Sequence, residues 1–426
     1  MDIQQLYSHF LQSKGISTDT RKIVPGSIFF ALKGPTFNGN EYAKDALSHG
    51  ALLAVVDEEK YKLSEQYFLV SDVLQALQQL AKHHRRALNI PILAITGSNG
   101  KTTTKELINL VLSKKYKTYA TKGNLNNHIG IPLTLLAMPQ DTEIGIVEMG
   151  ANHQKEIEGY CQIAEPNFGI ITNIGKAHLE GFGGTEGVKK GKGELFDYLL
   201  AANGTAFVNS GNETIMSISK FAAPVYYFGE KDFYHAQFLE ASPFIRFKAE
   251  NHQIVDTHLI GKYNFENIAA ALCIGKYFKV NPQDAHEAIT SYVPENNRSQ
   301  IIQKRSNEII LDAYNANPSS MRAAVENFTQ IKKDKKLLIL GDMFELGQES
   351  KKEHELLGKL ISGFSFDHIL LCGKEMKHAK EFCYHANYFQ DKNELEQWIT
   401  SQKFENYQIL IIGSRGMGLE SLVELV

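Results

Sequence analysis

Three observations predict an α/β chain built of three units. Short runs rich in Ile, Val and Leu alternate with stretches of helical periodicity along most of the sequence, a pattern that packs helices on largely parallel sheets. One such run, Ile92–Thr96, passes through a glycine turn into a helical stretch. Two breaks, Asn89-Ile90-Pro91 and Pro294 to Arg298, divide the chain into residues 1–88, 89–296 and 297–426. The first unit reads as a small α/β domain. The second reads as a P-loop-type domain on a parallel sheet, and the third as a Rossmann-like, doubly wound domain. The length of 426 residues fits two to three domains.

The glycine turn carries the chemistry. Gly97, Ser98, Asn99, Gly100, Lys101, Thr102 and Thr103 follow the strand, and Lys105 to Tyr116 is predicted as the helix, with Leu107, Leu110, Val111 and Lys114 at helical spacing. Glycines let backbone N–H groups face an anion, and a helix N-terminus adds partial positive charge. Lys101 would reach outer phosphates and the Thr102 hydroxyl would ligate Mg²⁺. The full P-loop pattern places another glycine where this chain has Ile95. The remaining Gly-x-x-Gly-Lys-Thr is a modest signal by itself, and the flanking strand, helix and three threonines raise it.

Composition sets limits. Hydrophobic residues make 43% and charged residues 22%, an ordinary balance for a globular protein. A net charge of −3 and a pI near 6.6 argue against a nucleic-acid surface. The stretch MDIQQLYSHF lacks a basic segment ahead of an apolar run, and no apolar run approaches the ~20 residues of a membrane span. Cys161, Cys273, Cys372 and Cys383 form no Cys-x-x-Cys pair and read as reduced and buried. A cytoplasmic address is expected.

In the first unit, Ser27–Leu32 and Ala51–Val56 read as strands and Tyr42–His49 as a helix. Asp72 can cap a further helix, whose end, His83-His84-Arg85-Arg86, reads as a solvated face. In the second, Ile144–Val147 is a strand ending in Glu148, where a parallel sheet beside a phosphate loop places a Mg²⁺ ligand. Gly169–Thr172 is another strand, with His178 shortly after it. A lone histidine is more often structural, yet this one follows a strand end in a phosphate-binding chain. Lys189 to Phe196, containing Lys192, reads most simply as a basic helix start. Phe244–Ala249 alternates as a half-exposed strand, and an Ala-rich helix opens at Gly261–Asn267. In the third unit, strands are predicted at Glu308–Leu311, Leu337–Leu340, His368–Leu371 and Gln408–Ile412.

Several stretches together resemble the ATP-dependent Mur amide ligases, over nearly the whole chain. Thr96 to Glu106 is similar to the family's shortened phosphate loop, which accounts for the missing glycine. Asn124 to Pro132, Glu148 to Ala151, Ile163 to Pro166 and Ile171 to Gly183 follow in the family's order. Asp312-Ala313-Tyr314-Asn315-Ala316-Asn317, Leu340 to Gly347 and Gly413 to Met417 are closest to members that add a dipeptide. The resemblance implies ligation of D-Ala-D-Ala to UDP-MurNAc-tripeptide, driven by ATP through an acyl phosphate. It also implies a UDP-sugar-binding first domain and an ATPase central domain, and a monomer is expected.

Site roles follow from the same resemblance. Residues 97–103 would hold the ATP phosphates, with Lys101 at the outer ones. Thr102, Glu148 and His178 would ligate Mg²⁺. Lys192 matches a lysine that the family carbamylates with CO₂, turning a cation into an anion able to join a metal site; the residues alone favour a plain surface lysine. Asn264 would contact adenine, and Arg298 and Asp312 would grip the nucleotide. Ser17, Thr18, Asp19 and Arg21 would belong to the UDP-sugar site, and Asn315 and Asn317 would lie near the dipeptide. Tyr263, Asn38-Gly39-Asn40 and Ile412 depart from the family pattern. The rival readings are a sister ligase adding a single amino acid and a P-loop protein that switches binding with nucleotide.

Overall fold

The computed structural model describes residues 3–295 and 297–426. Met1, Asp2 and Asn296, the last residue of the predicted central unit, lie outside the described residues. The first sheet is wholly parallel, in the order Ile16–Ser17, Ile28–Phe30, Leu53–Val56, Tyr67–Leu69. Apart from Ser17 its strands are apolar, because helices cover both faces.

The helix Val73–Leu88 starts where Asp72 accepts from Gln75 N and stops where Asn89 turns left-handed. Its end is not a solvated face. His84 and Arg85 are buried, and Arg85 donates to Ala164 O, Glu165 O and Asn167 Oδ1. The helix therefore packs on the first sheet with one side and on the central unit with the other, and one apolar core runs through both.

The central sheet is six-stranded and parallel, in the order Val225–Tyr227, Thr205–Asn209, Phe168–Ile171, Ile92–Thr96, Ile144–Glu148, Thr118–Ala120. The chain leaves the strand Ile92–Thr96 toward one edge and later returns on its other side. That reversal opens a crevice at the carboxyl ends of the strands. The helix after the glycine turn spans Lys101–Ser113, four residues earlier at its start than the periodicity predicts. Gly100, at φ +78, caps it directly, so Lys101 to Thr104 are already helical. The polar Thr run hid this start, because threonines are poor helix formers. Lys115 and Tyr116 lie past its end and bond instead to Phe278 O. The Ala-rich helix Tyr263–Tyr277 is buried on nearly all sides against it. Small side chains permit that approach. A three-stranded antiparallel sheet, Gln237–Ala241, Phe244–Lys248 and Ile254–Ile260, closes this unit.

The third sheet runs Gln300–Lys304, Asn307–Asp312, Gln408–Ile412, Lys336–Gly341, His368–Cys372, Asn387–Phe389. Only its first strand is antiparallel. The last strand inserts between Asn307–Asp312 and Lys336–Gly341, which creates a second crevice at their carboxyl ends. The four cysteines are free and buried. Among the described residues no helix is long and apolar enough to cross a membrane.

Candidate active site

A cleft of about 630 Å³ lies where the crevices of the central and third sheets meet. The glycine turn forms its floor. Two glycines are required there: a Cβ on Gly97, at φ +144, would fall 2.0 Å from Thr172 Oγ1, and one on Gly100 2.7 Å from Asn267 Oδ1. The turn is fixed from the neighbouring strand end. Ser98 N donates to Asn173 O, Asn99 N to Asn173 Oδ1 at 3.0 Å, and Thr172 Oγ1 to Asn99 O at 2.6 Å. These bonds engage the N–H groups of Ser98 and Asn99. The N–H groups of Lys101, Thr102 and Thr103, at the helix start, have no intrahelical acceptor, an arrangement able to receive an anion.

Lys101 Nζ folds back onto Gly97 O at 2.7 Å and Ser98 O at 3.2 Å. Burial pushes its ammonium down to about 8; Arg298 adds to this and Glu148 opposes it. An anion arriving at the turn would raise it again. Thr102 is buried at the helix start, and Thr104 Oγ1 donates to Asn267 Oδ1, whose Nδ2 donates in turn to Asn264 Oδ1. Asn264 lines the cleft, with its own Nδ2 committed to Ile260 O.

Glu148 closes the strand Ile144–Glu148 and is 1% exposed. Asn126 Nδ2 donates to its Oε1 at 2.9 Å, while its Oε2 is buried with no partner among the described residues. A buried carboxylate oxygen left bare is costly unless something cationic meets it. His178 lines the same cleft at φ +53, and its Nδ1 donates to Glu345 Oε2 of the third unit at 2.5 Å. Among the described residues no three His, Cys, Asp or Glu side chains gather as a closed metal cluster. The donors present, one bare carboxylate oxygen and a hydroxyl beside a phosphate site, fit Mg²⁺. That ion takes one or two protein oxygens and completes its shell with phosphate and water.

Lys192 is not a surface lysine. It is 1% exposed, its Nζ donates to Ala151 O at 2.9 Å, and it lies 5.0 Å from the Phe182 ring centroid. It sits behind the cleft wall that Ala151 forms, and Gly191 beside it leaves room for the Phe182 ring. Burial drives its amine well below the usual lysine range, with Lys101 nearby adding to the effect and Glu156 and Glu194 opposing it. Glu194 is committed to capping, since it accepts from Lys155 N and Glu158 N.

The opposite wall comes from the third unit. Arg298 stacks 3.7 Å from the Tyr314 ring centroid, with its Nε buried and without a hydrogen-bond partner among the described residues. Asp312 ends the strand Asn307–Asp312, and burial raises its carboxyl to about 6 against the pull of Arg298 and Ser299. Tyr263 donates to or accepts from Ser299 Oγ at 2.9 Å, which ties the helix of Asn264 to this wall.

Two groups of predicted residues lie elsewhere or face differently. Ser17, Thr18, Asp19 and Arg21 form a turn on the first unit and line no part of this cleft. Ser17 Oγ donates to Asp19 O, and Arg21 grips Asp19 through two bonds that hold its carboxyl at about 2. Asn315 is exposed at the cleft, but Asn317 is buried. It caps the helix Pro318–Gln330, and its Nδ2 donates to Asn99 Oδ1 at 2.6 Å. Sequence reasoning gave no site role to Asn126, Asn267, Tyr314 or Glu345, although all four lie within stretches it quoted: Asn124–Pro132, Gly261–Asn267, Asp312–Asn317 and Leu340–Gly347.

Comparison with known proteins agrees with this geometry. Three family models match: Mur ligase family, catalytic domain, at residues 12–85; Mur ligase middle domain at 95–275; and Mur ligase, glutamate ligase domain, at 297–415. The UDP-N-acetylmuramoyl-tripeptide–D-alanyl-D-alanine ligase of Bacillus subtilis is 34% identical over 426 residues, covering 96% of this chain and 92% of that protein. The crystal structure of MurF from Acinetobacter baumannii is 30% identical, superposes with a TM-score of 0.88, and covers 99% of this chain and 98% of that one. MurF of Thermotoga maritima, in complex with ADP, shares the fold at a TM-score of 0.85 and 24% identity, over 98% and 97% of the two chains. With a glycine turn, a bare carboxylate and a facing third domain in one cleft, and relatives alike end to end, the chain belongs to the Mur ligase family.

Proposed function

We propose that this enzyme is an ATP-dependent amide ligase that joins D-alanyl-D-alanine to the terminal carboxyl of UDP-N-acetylmuramoyl-tripeptide. The products are UDP-MurNAc-pentapeptide, ADP and phosphate, made for peptidoglycan. The observation that carries the reading is the shared cleft. A phosphate-binding helix start, the bare oxygen of Glu148 and the Arg298–Asp312 wall face one another there.

A carboxylate resists attack by an amine because its charge repels the nucleophile and oxide does not leave. Transfer of the γ-phosphoryl group to it gives an acyl phosphate, and the dipeptide's neutral amine then displaces phosphate. Little covalent chemistry falls to the protein, so positioning and charge neutralisation dominate. The helix-start N–H groups of residues 101–103 cradle phosphate oxygens, and Lys101 swings from its loop carbonyls to the transferred group. Asn264 borders adenine. Arg298 and Asp312 hold the nucleotide from the third unit, so binding ATP favours docking of that unit. Thr102, Glu148 and His178 would hold Mg²⁺, which neutralises charge developing on the phosphates. Lys192, whose amine burial drives well below the usual lysine range, would be able to take up CO₂ as a carbamate.

Ser17, Thr18, Asp19 and Arg21 would meet the UDP-sugar on the first unit, and Asn315 the dipeptide. Asn317 would act through Asn99, by steadying the turn. The matches to the three family models break between 85 and 95 and between 275 and 297, which supports units at 1–88, 89–296 and 297–426. The enzyme is taken to work as a cytoplasmic monomer. The test is phosphate release from ATP with UDP-MurNAc-tripeptide. Release that requires D-Ala-D-Ala, with a pentapeptide product by mass, is expected. Release supported by a single amino acid on a shorter muropeptide would overturn the dipeptide assignment, and release indifferent to every acceptor would overturn the ligase reading.

A further inference from the structure

The contact between His178 and Glu345 is unusual in three respects. It joins residues 167 apart in sequence and on different units. Both residues are non-glycine and left-handed, at φ +53 and +60, a backbone region that a side chain disfavours and that recurs at functional sites. And the Glu345 side chain is 49% exposed, so no apolar burial accounts for its placement.

The loop that presents Glu345 is anchored along its length. Met343 N donates to His354 Nε2, Phe344 N donates to Ser414 Oγ, and Asp342 Oδ1 accepts from Glu375 N and Met376 N. Glu345 O then accepts from Glu180 N at 3.2 Å, beside the side-chain contact. Around it, Lys176 Nζ meets Glu353 Oε1 at 2.6 Å and Lys176 N donates to Ser319 Oγ. Glu345 thus reaches His178 as part of a fixed edge of the third unit. A carboxylate only accepts, so Nδ1 is the donor, and Nε2 has no partner among the described residues.

We propose that Glu345 is a positioning residue that orients the His178 imidazole in the cleft from across the domain interface, so that this ring is set for a cation only when the third unit is docked. The proposal rests on the reading of His178 as a metal-site residue. A ring nitrogen held by an acidic partner fixes which nitrogen is presented, and loss of such a partner weakens metal binding about 10–100-fold.

The experiment uses the full chain with AMP-PNP and Mn²⁺ as probe, and reads free Mn²⁺ by electron paramagnetic resonance. Glu345→Ala should raise the Mn²⁺ dissociation constant about tenfold. Glu345→Gln, whose amide oxygen still accepts from Nδ1, should recover most of that loss. In ¹⁵N-imidazole-labelled protein the His178 ring N–H resonance, assigned by its loss in His178→Gln, should move in Glu345→Ala and persist in Glu345→Gln. Unchanged Mn²⁺ affinity within twofold overturns the proposal, whether or not the resonance moves. So does equal loss in both variants. Mn²⁺ affinity is read without turnover, so it stands apart from the acceptor test of the ligase reading: an active, dipeptide-dependent enzyme with unchanged affinity in Glu345→Ala fails this proposal alone.

Discussion

Arg85 offers the sharpest test of how the first unit is held. Its Nε donates to Ala164 O at 2.9 Å, and its Nη2 to Glu165 O at 3.0 Å and Asn167 Oδ1 at 2.9 Å. Ala164 ends the helix Glu156–Ala164, so its carbonyl has no intrahelical donor and the positive charge also meets the negative end of the helix dipole. Arg85→Met keeps the stem and removes the donors. Asn167 Oδ1 retains Ile92 N at 3.0 Å, so the loss falls on two carbonyls. Hydrogen bonds to a charged donor contribute about 1.5–3 kcal/mol each, or about 3–6 kcal/mol for the pair. Burial already pushes the Arg85 guanidinium below its usual basicity, and methionine relieves that cost. We expect a net destabilisation of about 2–4 kcal/mol. In a domain of this size that lowers the midpoint by roughly 5–15 °C. Thermal unfolding is the assay, with Arg86→Met as control. Arg86 pairs with Glu165 on the surface, where solvent screens the pair, so its midpoint should stay. If Arg85→Met unfolds within about 1 °C of the parent, Arg85 is a solvated residue and the bridging role of its helix is wrong.

Further outcomes follow from the cleft. Gly100→Ala would force a left-handed alanine onto Asn267 Oδ1 at 2.7 Å; calorimetry should show AMP-PNP binding at least tenfold weaker, and a stability loss of about 1–2 kcal/mol. Glu148→Gln removes a bare buried carboxylate oxygen while Asn126 can still donate to the remaining carbonyl, so kcat should fall about 100-fold with the melting point held or raised. Asp312 carries a carboxyl raised from 3.8 to about 6 by burial. The folded state therefore keeps a proton that the unfolded state has released, and its stability contribution is lost as pH rises from about 4 through 6. Asp312→Asn should flatten stability in that window, and the rise in KM for ATP expected below pH 6 in the parent should be absent. With ¹³C-bicarbonate, the parent should show a carbamate carbonyl resonance that Lys192→Ala lacks; its absence in the parent would leave Lys192 an unmodified buried amine.

Much of this was legible because it is local. Apolar runs gave the strands, and Asp72 and Asn89 marked both ends of one helix through their own backbone chemistry. The glycine turn could be read from its glycines and the strand and helix beside it, although Thr172, Asn173 and Asn267, distant in sequence, fix its conformation. What failed was burial of charge by distant partners. His83 to Arg86 reads as a solvated cluster, and only the carbonyls of Ala164 and Glu165, 79 and 80 residues away, make Arg85 an interior residue. Lys192 sits in a run of lysines and glycines that looks soluble. Gly191 instead lets Phe182 pack close and covers the amine. Asn317 was read toward the dipeptide, yet its stretch supplies a helix cap first, and its amide faces Asn99 across 218 residues.

The placement of the two crevices explains why such an enzyme needs a third domain at all. In the proposed reading the central sheet supplies the phosphate site and Glu148. The third sheet supplies Asp312, Tyr314 and Asn315 at its own carboxyl edge. Each half is a partial site. The polar ties between them among the described residues include Asn99–Asn317, His178–Glu345, Glu180–Glu345, Lys176–Glu353, Lys176–Ser319 and Tyr263–Ser299. Most are partly solvated, and pairs of that kind are individually weak. A docking held by such ties is open to bias by a ligand that touches both walls, since a ligand shifts an equilibrium by its differential affinity for the two states. A nucleotide placed as proposed, with its phosphates on residues 101–103 and the Arg298–Asp312 wall opposite, would meet that condition. On that reading, ties of this kind between the units would let ATP assemble the site and product release take it apart.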